Sequence, residues 1–369
     1  MSGSIHVLGL TSHEFVAAAS ARGVSRPAAL AAYHAAFREG RTTLPWVALP
    51  APRITAIQRD RTEFTGIGPD AVHETVKFAL RHDDGLETES VIIPMRRARG
   101  VTRTLCVSSQ VGCAMGCRFC ETAQMGLLRN LSAAEIVGQW HAARHAVEEG
   151  LGVPIKNIVF MGMGEPMDNL DAVLQAVRVL ADRHGPEIAP SHITVSTVGR
   201  IDGIARLAAF IAEPGFHRLN LAVSINAPND EIRSRIMPIN RATPMGPLMD
   251  SLRAWPLRSS GAICVEYVLI PGVNDAPEHC DELCAYLRPL RCSLNVIPYN
   301  PRRESPWPAP TEQETTRFIE RAALNGQFVK RRQTKGRDTF AACGQLGNPR
   351  VRRRRMLDEA TVTIEGAPR

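Results

Sequence analysis

Three cysteines in one short loop are the residues of this sequence best suited to chemistry. Cys113, Cys117 and Cys120 lie in the run VGCAMGCRFCETAQ with the spacing C-x3-C-x2-C, and no fourth cysteine follows nearby. A structural zinc site normally has four protein ligands, and ferredoxin cysteine runs have other spacings and supply four thiolates. Three thiolates instead predict a [4Fe–4S] cluster with one iron left open for a substrate or cofactor. A zinc site and a chance grouping are the alternatives.

The loop opens a segment in which apolar strands alternate with amphipathic helices. Strands are predicted at 104–108, 155–161, 193–197, 219–225, 263–270, 293–298 and 328–332, with helices such as 133–148, 170–183 and 278–287 between them. This alternation is typical of a parallel sheet with helices on its outer face. Six or so such units are fewer than a closed eight-unit barrel requires. The prediction is an α/β fold, an incomplete and open (β/α)6 barrel.

Polar residues follow several of these strands directly. Gly164 and Glu165 come after the strand that ends at 161, and Ser196, Ser224 and Asn300 lie at or after the ends of three others. Ligands of parallel sheets bind at the carboxyl ends of the strands. We therefore expect these residues and the cysteine loop to surround one opening.

The remaining segments predict smaller units. Residues 1–50 contain helical stretches at 14–21 and 26–38 and form a small accessory domain. Residues 51–98 contain a linker and a hairpin, with strands at 72–80 and 87–93 around the turn DDG. Residues 99–346 form the core domain, and residues 347–369 a basic tail.

Composition narrows the class of protein. The chain is 44% hydrophobic and 22% charged, which is ordinary for a soluble globular protein. No apolar stretch has the length of a membrane span, and the first 25 residues do not resemble a secretory signal. Nine cysteines form no small-domain disulfide pattern, so a reducing cytoplasm is expected.

Positive charge is concentrated towards the end of the chain. The net charge is +7, but residues 286–369 alone carry 17 Lys/Arg and 8 Asp/Glu, a net charge of +9. The segments KRRQTKGR (330–337) and RVRRRR (350–355) contribute most of it. Such clusters favour a polyanionic partner, with RNA or DNA first. For the last twenty residues a solvated basic tail is an equal alternative.

Several long motifs identify a family. The segments TLCVSSQVGCAMGCRFCETAQMGLLRNLSAAEIVGQ, VFMGMGEPMDNL, NAPNDEIR, MPINR, LIPGVND, IPYNP and AACGQL resemble the RlmN/Cfr family of RNA adenosine methyltransferases, in the radical S-adenosylmethionine superfamily. They span residues 105–346, about two thirds of the chain. The N-terminal region resembles the family's small helical domain only weakly.

The resemblance implies a cofactor site. One [4Fe–4S] cluster on the three cysteines would bind S-adenosylmethionine at its open iron and cleave it reductively. The family's cofactor contacts match Gly164, Glu165, Ser196, Ser224, Ile225, Asn226 and Asn300, with the Glu165 carboxylate accepting the methionine ammonium group. Relatives often carry His where this chain has Asn226, and Asn cannot be charged.

The resemblance also implies the catalytic residues. Cys343 would accept a methyl group from one S-adenosylmethionine, and a 5′-deoxyadenosyl radical from a second would remove hydrogen from that methyl. The carbon radical would then add to an adenine ring carbon. Cys106 would release the methylated RNA by attacking the Cys343 sulfur and leaving a disulfide, while Glu89 would accept the ring proton. Adenine ring carbons are too unreactive for direct methyl transfer, and the cofactor supplies this step.

The expected activity is methylation of adenosine in 23S rRNA at the peptidyl transferase centre, with tRNA as a second candidate substrate. C2 is favoured over C8 because Pro166 and the NAPND motif are similar to the C2-type members. A radical S-adenosylmethionine enzyme acting on a non-RNA substrate is the alternative, and a non-catalytic RNA-binding protein is a third. The resemblance further implies a flavodoxin- or ferredoxin-type electron donor, a thiol reductant, a monomeric state and no membrane partner.

Overall fold

The computed structural model describes residues 4–41, 44, 46–62, 73–97, 100–147, 154–337 and 339–348. Its strands are β1 Ile5–His6, β2 Val47–Ala48, β3 Ile54–Thr62, β4 His73–Arg81, β5 Glu87–Arg97, β6 Gly100–Cys106, β7 Gln110–Gly112, β8 Leu127–Asn130, β9 Ile155–Phe160, β10 Ile193–Thr197, β11 Asn220–Ser224, β12 Ile263–Leu269, β13 Cys292–Pro298 and β14 Val329–Arg331. Its α-helices are α1 Ser12–Ser20, α2 Arg26–His34, α3 Glu121–Gln124, α4 Ala133–Ala142, α5 Leu170–Ala181, α6 Ile201–Ile211, α7 Asp230–Ile236, α8 Met245–Arg253, α9 Pro277–Leu287 and α10 Glu312–Leu324.

A ten-stranded sheet forms the centre of the molecule, in the order β14-β13-β12-β11-β10-β9-β6-β5-β4-β3. The seven strands from β14 to β6 pair in parallel, and helices cross over between them. The expectation of an α/β fold with a mostly parallel sheet is confirmed. All seven strands predicted from the core segment are present, with ends that differ by a few residues.

Parallel pairing places the polar strand ends together. The inward positions of the central strands are fully buried, as at Leu221 and Val223 of β11 and at Val265 of β12. Because every strand from β9 to β13 runs in the same direction, the residues that follow them emerge at one edge of the sheet. That edge holds the candidate site.

The predicted hairpin is present but belongs to the same sheet. β4 and β5 pair antiparallel around the turn at Asp83, and β5 pairs with β6 so that Val91 lies opposite Cys106. A further antiparallel strand, β3, was not predicted. Residues 54–61 of β3 are all at least partly exposed, so this edge strand lacks the alternation of apolar and polar residues that marks a half-buried strand. The domain boundary at residue 98 remains a prediction.

The first forty residues pack against the α/β core. α1 begins with a capping box in which the Thr11 hydroxyl and the Glu14 carboxylate each accept a backbone N–H of the other. α2 continues as a π-helical turn, Ala35–Glu39, which ends at Gly40 in the left-handed region (φ 69°). The Phe37 ring lies 6.3 Å from that of Trp140 on α4, centroid to centroid. No described helix has both the length and the apolar character needed to span a bilayer.

Candidate active site

The cysteine loop is held by a short two-stranded hairpin. β7 and β8 pair antiparallel on either side of it, and the Cys113 N–H donates to the Gly126 carbonyl (3.0 Å). Gly112 has φ 78°, and a Cβ at this position would lie 1.8 Å from the Gly126 oxygen. Only glycine fits here, because both the backbone conformation and the contact exclude a side chain.

A cavity of about 970 Å³, open solvent included, lies at the carboxyl edge of the parallel strands. Most of the site residues predicted from the sequence line it: Cys113, Cys117, Cys120, Gly164, Glu165, Ser196, Ser224, Asn226, Asn300 and Cys343. Among the predicted cofactor contacts only Ile225 does not line it, since its side chain lies in the hydrophobic core. The predicted catalytic residues Cys106 and Glu89 do not line it either. Phe119 also lines the cavity, between two of the cysteines.

The three loop cysteines form a donor set that suits an iron–sulfur cluster. Burial raises the pKa of Cys113, Cys117 and Cys120 above the usual thiol value, and the other thiols of the loop add to this at Cys113 and Cys117. Such thiols become thiolates when a cationic centre takes the place of their protons. Within the described residues no three Cys, His, Asp or Glu side chains are arranged to hold a single metal ion. Three thiols along one cavity wall could hold three corners of a larger, multi-iron group.

Glu165 is a buried carboxylate beside the cysteines, with 2% of its surface exposed. Its oxygens accept the N–H groups of Met167 (3.1 Å) and Val198 (2.9 Å). It takes part in none of the ion pairs found in the described part of the chain. Burial raises the pKa of Glu165 to about 7. A buried carboxylate in this state is suited to binding a cationic ligand, because the ligand's charge would offset the cost of its desolvation.

Gly164 allows the backbone to bring Glu165 to this place. Its φ is 98°, and a Cβ would lie 2.5 Å from the Cβ of Gln110. The Gln110 side-chain oxygen accepts the Glu165 N–H (2.8 Å). Gln110 belongs to β7, so this contact connects the carboxylate to the hairpin that carries the cysteines.

Asn226 lines the cavity but uses its side chain within the protein. It has φ 56°, a left-handed conformation that Asn tolerates better than most residues. Its Oδ1 accepts the Val268 N–H (2.9 Å), and its Nδ2 lies 3.3 Å from the Met237 sulfur. These contacts connect the end of β11 to β12. The Asn at this position therefore has a structural role in addition to any contact with a cofactor.

A second, smaller cavity brings the two predicted catalytic cysteines together. It measures about 410 Å³, open solvent included, and is lined by both Cys106 and Cys343. Cys343 lines the large cavity as well, so it borders both the space with the loop cysteines and the space with Cys106; the loop cysteine Cys120 also borders both. Burial is the main cause that raises the pKa of Cys106 to about 12, and Cys343 adds to it.

The segment after Cys343 is fixed to the residues after Cys120. The Glu121 N–H donates to the Gly344 carbonyl (2.7 Å), and the Thr122 hydroxyl donates to the Leu346 carbonyl (2.6 Å). Both donors belong to α3, which follows the cysteine loop directly. These bonds hold Cys343 at the wall of the main cavity.

Glu89 lies next to the small cavity without lining it. It is on β5, two residues before Val91, which does line that cavity. One carboxylate oxygen lies 3.1 Å from the Lys77 ammonium, and the other accepts the Gly347 N–H (2.8 Å). The structure thus places Glu89 beside the segment that carries Cys343, with both oxygens engaged.

Comparison with known proteins decides the family. Residues 107–284 match the Radical SAM superfamily. A dual-specificity RNA methyltransferase RlmN from Geobacter sulfurreducens is 37% identical over 351 residues, which are 94% of this chain and 93% of the relative. The chain belongs to the RlmN family. A probable RlmN from Protochlamydia amoebophila is 43% identical over 282 residues, 76% of this chain and 75% of that relative. Among solved structures, a radical SAM methyltransferase from Sphaerobacter thermophilus has a TM-score of 0.82 and 36% identity, covering 93% of this chain and 99% of its own.

Two charged residues of this RlmN-family site were missed by sequence reasoning. Glu266 lines the large cavity, and the Arg332 guanidinium lies 3.1 Å from its carboxylate. Glu266 is the one acidic residue of the apolar strand ICVEYVL, which was a signal that could have found it. Arg332 had no such signal because it lies within the run KRRQTKGR, where the prediction assigned the charges to a polyanionic partner.

Most cations of that run have partners within the protein. Arg331 forms an ion pair with Glu312, Lys335 donates to the Pro94 carbonyl, and Arg337 donates to Asn300 Oδ1 (3.4 Å). Arg331 and Arg332 are thus paired with carboxylates, while Lys330, Arg331 and Arg337 remain exposed at the surface. The second basic run, at 350–355, lies outside the described residues.

Proposed function

We propose that this enzyme methylates the C2 carbon of an adenosine in 23S rRNA at the peptidyl transferase centre, with tRNA as a further substrate. Membership of the RlmN family makes it an S-adenosylmethionine-dependent RNA methyltransferase. The position of Cys343 is the observation that supports the proposed mechanism. This thiol borders both the cavity with the three loop cysteines and the cavity with Cys106, as a methyl carrier between a cofactor and a resolving thiol must.

The residues of the main cavity fit the cofactors of the family. Cys113, Cys117 and Cys120 would hold one [4Fe–4S] cluster, and Glu165 would bind the ammonium group of S-adenosylmethionine. When bound, these two groups supply radical chemistry on carbon that side chains alone cannot perform. Ser196, Ser224, Asn226 and Asn300 line the same cavity and would contact the rest of that ligand. Two S-adenosylmethionine molecules per turnover follow if one methylates Cys343 and one supplies the radical.

Three residues of this chain would carry out the remaining steps. Cys343 accepts a methyl group as a thiolate and presents it to the RNA base. Cys106 attacks the Cys343 sulfur to release the product, which leaves a disulfide for a thiol reductant to reopen. Glu89 accepts the ring proton, for which its carboxylate must first give up the Gly347 N–H.

The wider expectations belong to the same proposal. The six crossovers between seven parallel strands support an incomplete (β/α)6 barrel, whose open side would admit RNA. A flavodoxin- or ferredoxin-type protein would supply electrons, and a reducing cytoplasm would keep Cys106 and Cys343 as thiols. We propose that the enzyme acts as a monomer.

The proposal is tested by pairing variants of the two cysteines. With Cys343→Ala we expect no methylated RNA, and with Cys106→Ala we expect RNA to accumulate in covalent linkage to the protein on a denaturing gel. Cys292→Ala is the control, because Cys292 begins β13 at the opposite end of the strands. Full activity of Cys343→Ala would overturn the carrier mechanism. Mass spectrometry of the modified adenosine would overturn the choice of C2 by finding the methyl group on C8.

A further inference from the structure

An ion pair lies at the junction of the two cavities. Arg332 and Glu266 form it with an N–O distance of 3.1 Å, and their side chains are 24% and 9% exposed. The same guanidinium nitrogen lies 3.7 Å from the sulfur of Met161, a residue that lines both cavities. Arg332 is therefore next to the walls that Cys343 and Cys106 share.

The ion pair is held in place from both sides. The Arg332 N–H donates to the Val296 carbonyl (2.9 Å), which continues the pairing of β14 with β13. The second oxygen of Glu266 lies 3.4 Å from the hydroxyl of Ser196, a predicted cofactor contact. A guanidinium has several donors in a fixed plane, so it contacts Glu266 while still facing other groups.

The charge of Arg332 acts on both thiols. Burial raises the pKa of Cys343, Arg332 opposes that rise, and Glu266 adds to it. At Cys106, burial and Cys343 raise the pKa, and Arg332 again opposes them. Cys264 on β12 also contributes to raising the pKa of the Arg332 guanidinium. Lys335 is another nearby cation, and its pKa is lowered mainly by burial and in addition by Arg332. Among these groups, Arg332 is the cation that offsets the burial of the two sulfurs.

We propose that Arg332, held by Glu266, is a positioning residue that stabilises the thiolate of Cys343 as it accepts the methyl group. The inference rests on the proposed role of Cys343 as carrier. In that step the Cys343 sulfur forms a bond to the methyl carbon and the sulfonium–methyl bond breaks. The electron pair leaves with S-adenosylhomocysteine, and the thiol proton passes to solvent. Negative charge on the sulfur before the step is what the guanidinium favours.

Alkylation of Cys343 by iodoacetamide measures this charge without RNA or turnover. The cluster-loaded protein is treated anaerobically from pH 6 to 10.5, and modification of Cys343 is followed by peptide mass spectrometry. The thiolate displaces iodide, so the midpoint of the rate profile reports the thiol pKa and the plateau reports access. For Arg332→Gln we expect the midpoint to move up by about one pH unit. At any pH below the wild-type midpoint, the variant should therefore be alkylated at Cys343 about tenfold more slowly than the wild type. Arg332→Lys keeps the charge and should move the midpoint by less than half as much.

The control is Arg331→Gln, which removes the neighbouring charge from an exposed position paired with Glu312. We expect it to leave the Cys343 profile unchanged. An unchanged midpoint in Arg332→Gln, or a change in the plateau alone, would overturn the inference. Should that variant fail to fold, Arg332→Met decides, because it keeps most of the apolar stem of the side chain without its charge: the midpoint should again rise by about one pH unit, and an unchanged midpoint contradicts the role of Arg332.

The role of Arg332 and the carrier role of Cys343 can fail independently of each other. If the wild-type protein alkylates as expected but Cys343→Ala still methylates RNA, the carrier role fails and the electrostatic effect of Arg332 stands. If Cys343→Ala is inactive but Arg332→Gln has an unshifted midpoint, the carrier role stands and the role of Arg332 fails.

Discussion

Glu165 shows how one residue's surroundings favour a charged ligand. Its burial raises its pKa to about 7, so near neutral pH the empty site is about half protonated. An ammonium group binds the carboxylate and not the neutral acid. Affinity for S-adenosylmethionine should therefore rise as the pH rises through about 7, and fall by about tenfold for each unit below it. Isothermal titration between pH 5.5 and 7.5 checks this, a range in which the ligand's amino group stays mostly protonated.

Two variants test whether the charge of Glu165, rather than that of a nearby carboxylate, accounts for the affinity. Glu165→Gln should weaken binding by roughly 10- to 100-fold at pH 7.5, as expected for removal of a charged hydrogen bond of about 1.5–3 kcal/mol, and its affinity should hardly change with pH. Asp171→Asn is the control, since Asp171 is six residues away and its exposed carboxylate pairs with Arg206. A Glu165→Gln protein with wild-type affinity would rule out the ammonium contact.

The sequence predicted which residues belong to the site better than it predicted where each side chain points. Gly164, Glu165 and the loop cysteines line the cavity as expected because their motifs are long and unusual. Ile225, the residue after β11, has its side chain in the core instead, while the side chains of its neighbours Ser224 and Asn226 line the cavity. Arg332 could not be assigned from the sequence, because only the fold decides which arginine of a basic run turns towards Glu266.

The β7–β8 hairpin is the element on which the cysteine loop depends. Gly112→Ala would place a methyl group 1.8 Å from the Gly126 oxygen, which the hairpin cannot accommodate without separating its strands. We expect iron content after anaerobic reconstitution to fall to a small fraction of the wild-type value. Gly23→Ala is the matched control, because Gly23 also has a positive φ (81°) but has nothing within 4 Å of the added carbon. It should cost about 1 kcal/mol in the free energy of unfolding and bind iron normally.

The short helix α3 has a separate role, to hold the segment that carries Cys343. Thr122→Val removes the hydroxyl that donates to the Leu346 carbonyl. The same hydroxyl also hydrogen-bonds Cys120, so iron content is measured alongside to check that the cysteine loop is intact. We expect a loss of about 1 kcal/mol in stability together with a several-fold drop in the fraction of Cys343 that becomes methylated. Thr315→Val is the matched control, because this buried hydroxyl donates to the Thr311 carbonyl on α10. It should lose similar stability without affecting Cys343; equal loss of methylation in both variants would contradict the prediction.

Elements were predicted best where they are buried on both faces. The strands from β9 to β13 are rich in Ile, Val and Leu, as is typical of parallel strands covered by helices. β3 was missed since it lies exposed at the sheet edge, and its pairing with β4 depends on a partner rather than on its own pattern. The short parallel pair of β1 and β2 was missed for the same reason.

For the whole molecule, the net charge of +7 lies largely at the end of the chain. In the segment 330–337, Arg331 and Arg332 are offset by Glu312 and Glu266, so part of this charge is already paired within the protein. The described chain approaches the site there: the Gly347 N–H donates to Glu89, and the five arginines of 350–355 begin three residues later. We predict that this run contributes to RNA binding.

Replacing those five arginines with Gln should therefore weaken RNA binding and reduce its salt dependence together. Each phosphate that the arginines neutralise adds about 0.7 to the slope of log K against log salt for single-stranded RNA, so the slope should decrease by up to about 3.5 in the variant. Fluorescence anisotropy with a labelled single-stranded RNA between 50 and 300 mM KCl measures the slope. Arg253→Gln with Arg288→Gln is the control, because both are exposed and end helices that lead to the opposite edge of the sheet. Weaker binding with an unchanged slope would show that the run acts other than through phosphates, since only released counterions give the affinity this dependence on salt.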